Sequence, residues 1–209
     1  VDLAAGHHRA TTVAALVLAM AGLAVSILHL GRPERAWRAL AGFRHSWLSR
    51  EVVALGLFAG LGGLAVATGS SAVQAGAAAS GFVGVACSGM LYVVTLRPSW
   101  RATVTLPRFA LSSLVGGAGV ALVTGGGRTA GLVLAAALAA KLAWEAGMVW
   151  RPGPVPAAGL ARHLLGVSGV VLALCASPLA LLAVVAGELM ERSRFFTTAS
   201  WTGMPGPNT

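Results

Sequence analysis

The sequence predicts an all-α protein, a polytopic bundle of transmembrane helices with six to seven spans visible. Three observations predict it. Apolar residues make up 56 % of the 209 residues and charged residues 10 %, against roughly 25 % charge in a soluble domain. Apolar runs near the ~20 residues that cross a ~30 Å hydrocarbon layer recur at 11–30, 51–68, 73–96, 109–125, 129–149 and 163–188. The short alternating segments of a membrane barrel are missing, and an open sheet would leave its backbone unsatisfied in lipid. The whole chain, 1–209, reads as one integral membrane domain.

The first run ends close to His29, and the second opens with Glu51. Between them, residues 31–50 read as an interfacial loop with a short surface helix. Pro33 suits a first helical position, Trp37 and Leu40 face lipid, and Arg35 and Arg38 face headgroups or a partner. The stretch 26–53 holds five arginines, two histidines and two glutamates, the densest charge in the chain. Gly56/Gly60 and Gly76/Ser80/Gly84/Ser88 place small residues at four-residue spacing, which lets helices approach closely. The glycines at 125–127 form a turn between the fourth and fifth runs. Lys141 and Glu145 lie four apart on one face of the fifth run, and mutual neutralisation or a proton path are both open to them. The run 163–188 is long for one crossing, short for two, and interrupted by Pro178. Glu188 and Arg192 read as an interfacial pair at its end.

Six crossings place the loops 31–50, 97–108 and 150–162 on one side, with ten arginines against four on the other and Lys141 in a span. The positive-inside rule makes the arginine-rich side cytoplasmic, and Trp37, Trp47, Trp100 and Trp150 fall where an interfacial belt would put them. With two crossings in 163–188, Arg192 and Arg194 join that side. Arginine clusters also receive acidic partner proteins, so Arg32, Arg38, Arg44, Arg50 and Arg101 are candidates for partner docking as well as for topology. No nucleic-acid partner is expected.

Cys87 and Cys175 sit in apolar segments with no partner at metal-ligand spacing and read as packing residues. No phosphate loop, nucleophile motif, CxxC pair or HExxH is present, so no self-contained catalytic residue and no metal site is assigned. Haem would need two histidines projecting inward from different spans. Of the five histidines only His29 lies within a run, with His163 at the edge of another, so no haem is expected.

His29 and Glu51 sit where two helix ends return to one face and can line one interfacial cavity. Ionisable residues at membrane depth are costly and mark proton or substrate pathways. Simpler roles stand beside this. Ser49 is a possible N-cap that would leave Glu51 stabilised by the helix N-terminus, and His29 can bond a neighbouring carbonyl.

HLGRPERAWRAL at 29–40 and SWLSRE at 46–51 resemble the membrane-anchor family of dimethyl-sulfoxide reductase (DmsC-like), which includes the anchors of sulfite dehydrogenases. MLYVVTLRPSW at 90–100 and GELMERSRFF at 187–196 add weaker likeness. The resemblance implies quinone binding by His29 and Glu51, with Arg35 as the motif arginine. It implies quinone or quinol, menaquinone or ubiquinone, as the molecule handled here. Molybdopterin and iron–sulfur clusters would belong to partner subunits only, an iron–sulfur subunit and a molybdopterin catalytic subunit. It places the chain in the cytoplasmic membrane of a prokaryote, surrounded by membrane lipids. Family members have about eight spans, which implies a helix before Val1 and a segment missing near Ala176. A small-solute transporter or a purely structural anchor is the alternative; a transporter would show internal repeats and broken helices, and no repeat is visible.

Overall fold

The computed structural model describes residues 3–28, 42–149 and 157–197. Seven α-helices run through the described residues: α1 Leu3–Leu28, α2 Trp47–Thr68, α3 Ser71–Val93, α4 Ala102–Ala121, α5 Gly127–Val149, α6 Ala157–Leu174 and α7 Ala180–Thr197. Trp47–Thr68, Ser71–Val93 and the continuous stretch Ala102–Gly147 are long and apolar enough to cross a membrane, and Arg9–Val25 and Gly159–Leu174 are shorter apolar helices. Sequence neighbours pack in an up-and-down order, with α1 also against α2 and α4, and α7 also against α4.

Each reversal has a local cause. The hydroxyl of Ser46 accepts from the Ser49 amide and starts α2, and Gly69 ends it in the left-handed conformation, φ 68°, with its N–H donating to Ala65 O. Ser70 caps α3 in the same way. A five-residue π turn, Leu122–Gly126, separates α4 from α5, and Gly125 (φ 103°) and Gly127 (φ 55°) supply the backbone that other residues adopt only with strain. The run 163–188 is two helices. Ala176 (φ 52°) and Pro178 lie in the turn between α6 and α7, and α6 begins at Ala157, six residues before the predicted start. The reversal returns the end of α7 to the end of the bundle where Trp100 lies, so Arg192 and Arg194 join the arginine-rich end, leaving Arg9 and Arg128, among the described residues, at the other.

Several expectations are corrected. Ser46, not Ser49, is the N-cap of α2; Ser49 is buried, and its Oγ lies 2.7 Å from where a side chain on Gly42 would begin. Gly56 and Gly60 face outward with nothing within 4 Å of a Cβ, whereas Gly62 packs on Leu16 and Gly84 on Leu55. Cys87 is buried, but Cys175 is exposed in the α6–α7 turn. Trp100 is buried rather than belted at the interface. Its ring stacks on Phe195 at 5.3 Å and its Nε1 donates to Phe195 O, with Tyr92 and Phe109 completing an aromatic knot at this end. At the opposite end the hydroxyls of Thr11 and Thr124 lie 2.6 Å apart, and Gln74 donates to Thr12.

Candidate functional site

His29, Arg32, Arg35, Arg38 and the expected short helix lie outside the described residues. Glu51 is described. Because α2 starts at Trp47, Glu51 sits in the second turn, beyond the reach of a helix-terminus field that fades within the first. Its carboxylate instead accepts from the Ser88 hydroxyl of α3, at a point where Gly84, one turn along, lets the two helices close together. Arg50 is engaged locally: Nε and Nη2 donate to the carbonyls of Phe43 and Arg44, and the guanidinium covers the Trp47 ring at 4.4 Å. That ties the turn before α2 to its first turn. Arg44 and Arg101 are exposed at the same end.

Deeper in the bundle the structure assembles six charged side chains from four helices: Arg108 (α4), Lys141 and Glu145 (α5), Arg162 (α6), and Glu188 and Glu191 (α7). Leu134, Leu138, Lys141 and Glu145 follow a 4-3-4 spacing, and all are buried, so the apolar face that packs α5 ends in two charges. Glu191 and Phe195 are buried on the facing side of α7, with Glu188 half-buried one turn before Glu191. Lys141, fully buried, donates from Nζ to Ser112 Oγ at 2.7 Å and to Glu188 at 2.5 and 2.7 Å, and it also pairs with Glu191. Arg162 Nη2 donates to Glu145 Oε1 at 3.0 Å and stands 4.0 Å from Glu188 and 3.9 Å from Glu191. Arg108 Nε is 2.8 Å from Glu191 Oε1. Three cations face three anions, as burial in an apolar medium demands. Gly187 leaves room for Arg162, whose Nη1 is 3.5 Å from the place a Cβ would take.

This corrects three expectations. Lys141 and Glu145 do not pair with each other but with α7 and α6. Glu188 meets Lys141 rather than Arg192, whose guanidinium lies over Phe109 at 4.5 Å. Arg108 and Arg162 are not loop arginines; they are helical and lie inside the cluster. The glutamates at 188 and 191, three apart at the end of an apolar run, were the visible signal for it.

A cavity of about 660 Å³ joins the two sites. Its walls include Leu18 of α1, Ser88 of α3, Phe109 and Ser112 of α4, and Val184 and Glu188 of α7. Ser88 therefore touches Glu51 on one side and the cavity on the other, and the cavity ends against the ionic cluster. A mostly apolar chamber with a few convergent polar groups is the usual form of a small-molecule site.

The model of the family described as DMSO reductase anchor subunit (DmsC) matches residues 7–135. The C subunit of the sulfite dehydrogenase of Allochromatium vinosum is 64 % identical over 44 residues, which cover 21 % of this chain and 14 % of that protein. No solved structure matches. Lys141, Glu145, Arg162, Glu188 and Glu191 lie beyond residues 7–135, which the family model matches.

Proposed function

The chain belongs to the DMSO reductase anchor subunit (DmsC) family, and from that premise we propose that it exchanges electrons with the membrane quinone pool on behalf of a docked iron–sulfur subunit and a molybdopterin catalytic subunit. As an anchor of an oxidoreductase it needs apolar helices, which it has. Quinone work needs more. Quinol oxidation releases two electrons and two protons, and quinone reduction consumes them, so the site needs a hydrogen-bond partner for a ring oxygen and a group that moves protons. In this reading His29 bonds a quinone oxygen, Glu51 exchanges protons with the aqueous side, and Arg35 orients the loop or the docked subunit.

The observation that carries this reading is the Glu51–Ser88 hydrogen bond, because Ser88 is also part of the cavity wall. A carboxylate near the end of the bundle thus reaches a mostly apolar chamber of about 660 Å³ through a single hydroxyl. The exposed Arg44 and Arg101 belong to the face proposed to receive the iron–sulfur subunit, at the end proposed to be cytoplasmic. Lys141 and Glu145, whose spacing alone leaves a proton path of their own open, serve in this reading as parts of the wider cluster.

The test is His29→Leu in the complete complex. Quinone-linked turnover should be lost while the catalytic subunit still reacts with an artificial dye; survival of quinone turnover would refute the assignment.

A further inference from the structure

We infer that the cavity between α1, α3, α4 and α7 is a chamber that an isoprenoid quinone enters from the bilayer, and that Glu188, beside Ser112 and Lys141, is the polar group that meets its ring there. This rests on the quinone reading above and deepens it, since that reading places the ring only at His29 and Glu51.

The walls decide the route of entry. Leu18, Val185 and Leu189 line the cavity and are 58 %, 47 % and 66 % exposed among the described residues, so its mouth is apolar. A ligand passing between α1 and α7 therefore comes from hydrocarbon, which selects a lipid-soluble molecule. The inner end selects a hydrogen-bonding ring over a plain acyl chain, because Ser112, Glu188 and Glu191 line it and meet at Lys141. Ser112 accepts from Lys141 and keeps its own O–H to donate to a quinone carbonyl. Glu188 accepts from Lys141 and has lone pairs left for a quinol O–H.

Among the three cluster carboxylates, Glu188 is the most open, with its side chain 25 % exposed against 9 % for Glu145 and 10 % for Glu191. It is also the one whose charge the cluster can spare. Lys141 pairs with Glu191 as well as with Glu188, so protonating Glu188 leaves the buried ammonium with a counter-ion. In quinol oxidation at this end of the chamber, two electrons leave to the iron–sulfur subunit and two protons are released. The Glu188 carboxylate takes one of these protons, and the Ser88–Glu51 side takes the other. Quinone reduction runs the same transfers backwards.

The experiment uses the complete complex purified from native membranes and a photoreactive azido-quinone, with the labelled peptides mapped by mass spectrometry. Label that excess unlabelled quinone displaces is expected on peptides of α4 and α7. Displaceable label confined to residues 26–53 overturns the chamber while leaving the quinone reading standing. No displaceable label anywhere, with no quinol turnover, sinks the reading itself and the chamber with it.

Gly116→Leu provides a second measurement. Gly116 lines the cavity and a Cβ there meets nothing within 4 Å, so a leucine starts from open space and occupies chamber volume. The KM for quinol should rise about 10- to 200-fold; an unchanged KM overturns the inference. Glu188→Gln should lower quinol kcat by about 100-fold, with Glu188→Asp restoring part of it. Full quinol turnover in Glu188→Gln refutes the role given to that carboxylate. Should either variant fail to assemble, the labelling of the unaltered complex decides.

Discussion

Lys141 on α5 reaches across the bundle to Glu188 on α7, with Nζ 2.5 Å from Oε1, and not to Glu145 one turn along its own helix. Part of the reason is local, since Lys preceding Glu by four residues is the weaker order for such a pair on a helix. The larger part is tertiary. Arg162 of α6 takes Glu145, so each charge on α5 is bonded to a different neighbouring helix. The cluster pins α4, α5, α6 and α7 together where hydrophobic attraction between helices is weak in lipid.

Lys141→Met should therefore be costly. It leaves Glu188 and Glu191 facing each other in an apolar interior with a cation removed, a loss on the order of 3–5 kcal/mol. Thermal unfolding in detergent, followed by size-exclusion chromatography, should show a lower midpoint. Lys141→Met with Glu188→Gln should recover a substantial share, because it removes the stranded charge; a single variant as stable as the parent would contradict the burial of Lys141.

The spans were legible because hydropathy is summed over ~20 residues and survives errors at either end. The break in 163–188 was half-legible: length and Pro178 announced it, but the left-handed Ala176 that makes the turn carries no sequence signature. Glu51 stands out in the sequence only as part of a local motif with His29, which lies outside the described residues. Ser88 was not legible, since it read as one more small residue at packing spacing and its partner lies 37 residues away. Arg108 and Arg162 were misplaced for a physical reason. A charge at the edge of an apolar run is assigned to the loop unless its counter-ions are known, and these come from helices remote in sequence.

Glu51 and Ser88 should behave as one unit in quinol turnover. Glu51→Gln removes the titrating group and should cost about 100-fold in rate. Ser88→Ala removes the donor that orients it and should cost less. Because the two touch, the double variant should fall short of the product of the single effects. Steady-state rates with quinol and with an artificial dye check this, and strictly multiplicative losses would mean that Ser88 does not act through Glu51.

Glycine substitutions should separate packing positions from permissive ones. A Cβ on Gly131 would stand well inside contact distance of the Ala173 carbonyl oxygen, a backbone atom of α6 that cannot swing aside. Gly131→Ala should destabilise by about 1–3 kcal/mol through overpacking, despite the gain of up to ~1 kcal/mol in helix propensity. Gly56→Ala meets nothing within 4 Å and should be neutral or mildly stabilising. Thermal midpoints of the two variants, compared under one detergent condition, test the order.

Cys175 reports orientation without any added label site. It is exposed in the turn between α6 and α7, at the end opposite Trp100 and Phe195, whereas Cys87 is buried in α3, which packs on α2 and α4. With the arginine-rich end proposed to be cytoplasmic, a membrane-impermeant maleimide should modify Cys175 from outside intact spheroplasts and leave Cys87 unmodified until the protein is denatured. Modification only in inverted vesicles would place the arginine-rich end, with any partner docked on it, outside. The positive-inside explanation would then fail, and docking would be left as the reason for the charge: an iron–sulfur subunit on the outer face would require exported partners, so one thiol distinguishes the two explanations of the same arginines.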